Sequence, residues 1–146
     1  MMVSLNDLNN ACLLKMKLIT RDTDYAVRAL CFMAKSQDKI VTVSQLVSRL
    51  HIPRPFLRKL LQALTKKRVL ISSKGVGGGF ILARPASKIF LVDLMKIFQG
   101  DFRLNECFFK KGPCHHVRTC PLRKKIVRLE DQVSKALESI TIASLL

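Results

Sequence analysis

Three cysteines, Cys107, Cys114 and Cys120, stand at C-x6-C-x5-C spacing in a stretch that also holds Gly112-Pro113, a turn signal, and Cys120-Pro121, a loop-to-helix boundary. Three thiols on one loop can converge on a single centre. Cys120 falls at the start of the last predicted helix, where the partial positive charge of a helix terminus favours a metal-binding thiolate. Lys110, Lys111, Arg118 and Arg123 surround the trio with positive charge suited to an anionic cluster. Thiolates serve zinc and iron-sulfur centres alike, and the same thiols carrying no metal are the third reading. The spacing lacks the C-x2-C knuckle of most structural zinc sites. His115 and His116, in the same basic loop, read as solvated side chains before they read as ligands. Cys12 lies in a polar N-terminal stretch, and Cys31 falls in an apolar helix where a buried, inert thiol is expected.

The second chemical signal is charge. Lys and Arg number 26 against 10 Asp and Glu, a net +16, which calls for a polyanionic partner, nucleic acid first and an anionic membrane surface second. From Lys39 to Val92 there are eleven basic residues (Lys39, Arg49, Arg54, Arg58, Lys59, Lys66, Lys67, Arg68, Lys74, Arg84 and Lys88) and no Asp or Glu. An ordinary solvated surface mixes both signs, so this asymmetry points to phosphate.

The elements that must position these groups follow from spacing. Tyr25, Ala26, Ala29, Leu30 and Met33 recur at helical intervals after Thr23, an acceptable N-cap, and that helix ends before Gln37-Asp38. Thr42 or Ser44 caps a short second helix burying Val43, Leu46, Val47 and Leu50, and the chain breaks at His51-Ile52-Pro53. Pro55 fits the first turn of a third helix, about Pro55 to Lys67, which buries Phe56, Leu57, Leu60, Leu61 and Leu64 and turns Arg54, Arg58, Lys59 and Gln62 outward. Two helices and a short turn, the second exposing basic and amide side chains, form a helix-turn-helix. Val69–Ser73 and Phe80–Ala83 flank the glycine-rich Lys74–Gly79 stretch and read as a β-hairpin. A nucleotide-binding loop would be followed by a helix, and here a strand follows. The hairpin is therefore either a wing, whose Gly77 and Gly78 let the tip approach a DNA backbone beside Lys74, or a tight turn without a ligand.

These residues resemble a known family. Met16-Lys17-Leu18, Asp24–Leu30, the helix opening at Ile52-Pro53, the run Lys74–Pro85 and the cysteine trio are similar to the IscR/NsrR/RirA family of bacterial winged helix-turn-helix regulators, from Met16 nearly to the end. The resemblance implies a homodimeric transcription regulator, usually a repressor, with DNA affinity tied in many members to an iron-sulfur cluster (2Fe-2S or 4Fe-4S). It assigns DNA contacts to Arg54, Arg58, Lys59 and Lys74, to which the reading of the hairpin as a wing adds Gly77 and Gly78, and favours iron-sulfur over zinc at the trio. Pro53 and Pro55 stand where relatives often carry polar residues, so base contacts do not transfer. The His that some relatives use three residues after the third cysteine is Arg123 here. Relatives of the nitric-oxide-sensing type use an Asp on the first helix of the partner subunit, which matches Asp24, with His115 and His116 behind it.

From Pro121 on, Leu122, Ile126, Leu129, Val133, Ala136, Ile140 and Ala143 repeat at heptad spacing, a seam for a second helix, or else the inward stripe of an ordinary core helix. The expected layout is mainly α with a small β-hairpin wing: an extension over 1–15, a winged helix-turn-helix domain over 16–100, a cysteine cluster-binding loop over 101–120 and a dimerisation helix over 121–146. The partners implied are double-stranded DNA with a pseudo-palindromic operator and a second copy of the chain. The first fifteen residues lack the unbroken apolar stretch of a signal peptide, no apolar run approaches the ~18 residues of a membrane span, and a cytoplasmic protein is expected. A small basic iron-sulfur electron carrier or assembly factor is the competing class. An enzyme is disfavoured, because no nucleophile is paired with a base and the acid-free stretch has no paired carboxylates.

Overall fold

The first helix begins where Thr20, not Thr23, provides the cap. In the computed structural model, which describes residues 17–36, 40–75, 77–104 and 119–146, α1 spans Arg21–Lys35 and the Thr20 hydroxyl accepts the Thr23 backbone N–H. Thr23 lies inside the first turn with its side chain buried, drawn in by a polar partner from a distant element. Asp22 and Asp24 in that turn complement the helix dipole. Residues 1–15, Cys107, Cys114, His115 and His116 lie outside the described residues, as does Cys12.

Helix α2 (Val43–Leu50) opens on a capping box: Gln45 N–H donates to the Thr42 hydroxyl at 3.2 Å, and Thr42 N–H donates to Gln45 Oε1 at 2.7 Å. It closes at His51, whose left-handed backbone (φ 53°) turns the chain through buried Ile52 into α3 (Arg54–Lys66). Pro55 occupies the first turn of α3, where its missing N–H costs nothing. Arg68 at φ 57° ends α3; its N–H donates to the Thr65 carbonyl and the Val69 N–H to the Leu64 carbonyl, the pairing of a Schellman close.

The hairpin pairs β1 (Leu70–Ser73) antiparallel to β2 (Gly79–Leu82), with Leu70 opposite Leu82 and Ser73 opposite Gly79. Val41 extends the pair on its other side by exchanging two backbone hydrogen bonds with Phe80. Residues Leu30, Leu46, Leu57, Leu61, Leu64 and Leu70 join the three helices and the hairpin in one core. A 3-10 turn at Ala86–Lys88 leads to α4 (Leu91–Phe98), which packs on α1.

Helix α5 (Pro121–Glu138) is shorter than the heptad stripe. Beyond Ser139 the run Ile140-Thr141-Ile142 is β-branched and disfavours helix. Instead it pairs with the chain before α4: Ile142 N–H donates to the Ile89 carbonyl and Leu91 N–H to the Ile140 carbonyl, each at 2.9 Å. Ile140 and Ala143 therefore leave the stripe, and Ile142 is fully buried in the core. Leu137, with Val133 beside it, packs on Leu91 and Met95 of α4. The inner half of α5 is thus joined to the body of its own chain, while Leu122, Val127 and Leu129 stand 65%, 45% and 50% exposed. Among the described residues no helix is long and apolar enough to cross a membrane.

Candidate functional site

Helix α3 has two faces. Leu57, Leu60, Leu61 and Leu64 are buried, and the intervening Arg54, Arg58, Lys59 and Gln62 are exposed, as the spacing requires. None of Arg54, Arg58 and Lys59 is ion-paired within the described residues; the pairs found there are Arg28 with Asp24 and Arg84 with Asp93. Uncompensated cations on one helical face are chemically able to meet phosphate and base edges. Lys66, Lys67 and Arg68 continue the exposed charge past the end of the helix.

The hairpin tip carries Lys74, which is exposed. Gly78 N–H donates to the Gly75 carbonyl at 3.0 Å, closing a tight turn. Gly77 sits at φ +78° in open space, so a side chain there would meet backbone strain alone. A Cβ on Gly78 would lie 2.4 Å from the Ser73 carbonyl oxygen, too close for any side chain. The turn therefore needs both glycines for its own geometry, whatever it touches.

A cleft of about 590 Å³ opens between the last turn of α1 and α2, lined by Phe32, Lys35, Ser44, Gln45, Ser48 and Arg49. Arg49 counts among the eleven cations, but sequence reasoning gave it no site. Its position four residues after Gln45, with both side chains exposed on α2, is the signal that could have found it.

Of the expected metal ligands, Cys120 and Asp24 are described. Cys120 is the N-cap of α5, and its Sγ accepts the Arg123 backbone N–H at 3.5 Å. Asp24 lies on α1, half-exposed, with one carboxylate oxygen 2.9 Å from Arg28 Nε. Among the described residues no group of three or more His, Cys, Asp or Glu side chains gathers to hold a metal, and Cys107 and Cys114 fall outside them. Both borders of the cysteine segment are attached to α5: Leu104 N–H donates to Glu130 Oε2 at 3.1 Å, and Cys120 caps the helix. Glu130, ten residues past Cys120, went unnoticed in the sequence because an acid on a helix rich in Lys and Arg, even beside Asp131, carries no motif. Cys31 is half-buried; burial pushes its thiol pKa up, partly offset by Lys35.

Comparison with known proteins agrees with this architecture. Residues 19–146 match the model of the Rrf2 family, described as an iron-dependent transcriptional regulator. The HTH-type transcriptional regulator NsrR of Oceanobacillus iheyensis is 35% identical over 127 residues, 85% of this chain and 86% of that protein. The fold is similar to CymR, the global cysteine regulator of B. subtilis (TM-score 0.74, 20% identity, 89% of this chain and 96% of that one). It is also similar to IscR of T. potens (TM-score 0.67, 21% identity, 92% and 88%).

Proposed function

The chain belongs to the Rrf2 family of DNA-binding transcriptional regulators, and on that premise we propose a sequence-specific repressor that works as a homodimer and whose operator affinity is set by an iron-sulfur cluster. The observation that carries the reading is the exposed face of α3, where Arg54, Arg58 and Lys59 have no carboxylate partner among the described residues. Arginines there are suited to bidentate hydrogen bonds with guanine edges, and Lys59 and Lys74 to phosphates. Gly77 and Gly78, which carry no side chains, would let that part of the wing approach the backbone of the duplex.

The homodimer reading is supported by the outer half of α5. Leu122, Ile126 and Leu129 lie at helical spacing, and the two leucines remain largely exposed. A second copy of the same helix would cover them, placing two α3 helices on a pseudo-palindromic operator.

The donor set fits an iron-sulfur cluster: Cys107, Cys114 and Cys120 would supply thiolates, and Asp24 on the first helix of the second copy a half-exposed carboxylate as fourth ligand. Such a cluster, 2Fe-2S or 4Fe-4S, would supply a centre responsive to nitric oxide, iron supply or redox state. The surrounding residues orient its holders. Arg28 pairs with Asp24 on the surface of α1, Glu130 anchors the start of the cysteine segment, and the first turn of α5 seats Cys120.

Anaerobic purification followed by an absorbance spectrum and iron and sulfide assays tests the cluster. Visible absorption with iron and sulfide in comparable amounts is expected; colourless protein carrying zinc would refute it.

A further inference from the structure

Thr23 is the polar residue that is fully buried among those described, and its hydroxyl lies 3.1 Å from that of the cap, Thr20. It donates to Gln99 Oε1 at 2.9 Å. The same oxygen accepts the Thr20 backbone N–H at 3.0 Å, and the Gln99 amide nitrogen donates to the Leu18 carbonyl at 2.9 Å. One side chain at the C-cap of α4 thus holds three groups at the start of α1, more than 75 residues away in sequence. Phe102, three residues further on, packs into the same region with Ile19 and Val27.

Two residues past Thr23, the Tyr25 ring meets Phe56 edge-on, with centroids 5.6 Å apart and planes at 83°. Phe56 sits in the first turn of α3, between Arg54 and Arg58. Beneath this contact Ala26, Ala29 and Leu30 are buried in the core. Small residues there let α1 lie close on its neighbours, and close-packed interiors transmit displacement because they have little slack. A shift in the first turn of α1 is therefore delivered to the first turn of α3.

We propose that Gln99 is a positioning residue for DNA recognition: its amide fixes the start of α1 to the end of α4, and α1 carries that placement through Tyr25 and Phe56 to the helix bearing Arg54 and Arg58. This rests on the reading of α3 as the helix that meets base edges. Gln99 suits the task because it needs both of its ends, an acceptor for Thr20 and Thr23 and a donor for Leu18. Glutamate would keep the first and lose the second.

The chain itself supplies a reporter. Tyr25 is the single tyrosine and there is no tryptophan, so tyrosine emission reads the α1–α3 contact alone. The probes are a duplex selected from a random-sequence pool by the full-length wild-type protein and a scrambled duplex of the same composition, at one fixed salt concentration. Gln99→Met, Gln99→Glu and Thr23→Val are compared with wild type, each first checked for folding by circular dichroism. Gln99→Met is expected to change Tyr25 emission and to lose roughly three- to thirtyfold of the preference for the selected duplex. Its affinity for the scrambled duplex, governed by phosphate charge, should hold. Gln99→Glu and Thr23→Val, which keep part of the network, should show smaller losses in the same direction. They carry the test if Gln99→Met fails to fold.

Preference retained within about twofold in every folded Gln99 and Thr23 variant overturns the proposal. So does lost preference with unchanged Tyr25 emission, since the effect would then bypass α1. Arg58→Ala separates the two readings. If it loses preference while the Gln99 variants do not, the Gln99 assignment alone fails; if it keeps full preference, the reading of α3 fails and the proposal with it.

Discussion

Replacing Leu122 and Leu129 with glutamate should dissociate the proposed dimer, and the structure sets the scale of the effect. The two side chains stand 65% and 50% exposed in the single chain. A leucine taken fully out of water gains about 1.5–3 kcal/mol, so covering what remains exposed of both, on each of two symmetric copies, is worth about 3–7 kcal/mol. At roughly 1.4 kcal/mol per tenfold, the dimer Kd should rise by about two to five decades before any cost of burying the new carboxylates. Sedimentation velocity across a concentration series reads this directly. Leu137→Ala is the control, because Leu137 packs on α4 within its own chain; it should lower Tm while leaving dimer mass unchanged at temperatures where the protein is folded. If the Leu122→Glu, Leu129→Glu protein sediments as the wild-type dimer throughout the series, the interface is not the outer half of α5.

Arg58→Ala should cost about 1–3 kcal/mol at particular base pairs, whereas Lys59→Ala should weaken all duplexes alike and reduce the slope of log K against log salt by about 0.9, both measurable by fluorescence anisotropy. Gly78→Ala should disrupt the wing because its Cβ meets the Ser73 carbonyl, while Gly77→Ala should cost only about 1–2 kcal/mol of left-handed strain; thermal melts of the two should separate accordingly. Leu61→Ala, fully buried on the inner face of α3, should destabilise by about 2–5 kcal/mol in urea unfolding. The raised pKa of Cys31 means that the neutral thiol favours the fold. That contribution is intact below the ordinary thiol pKa of 9.0 and declines as pH rises toward the folded value, so Cys31→Ala should flatten part of the alkaline loss of stability.

Helix α3 and the wing were legible in the sequence because their signals are local. Pro53 and Pro55 bound the helix, the leucines repeat on one face, and the glycines mark the hairpin turn. The start of α1 was not legible: Thr20 and Thr23 are equally good caps by type, and the choice is made by Gln99 from the far end of α4. Nor was the end of α5, since heptad spacing runs on through Ile140 and Ala143 and cannot register that Ile142 pairs with Ile89. The basic face of the site was visible as charge without acid. Glu130, which anchors the border of the cysteine segment, was invisible because its role depends on proximity to Leu104.

Control of DNA affinity by the cysteine segment is decided by comparing anaerobically purified, iron-loaded wild type with Cys114→Ala on one operator duplex at one salt concentration. The wild type should bind more tightly, by about 5–150-fold, the usual span of allosteric coupling. A Cys114→Ala protein that lacks iron and still binds the operator as tightly as the loaded wild type would contradict it.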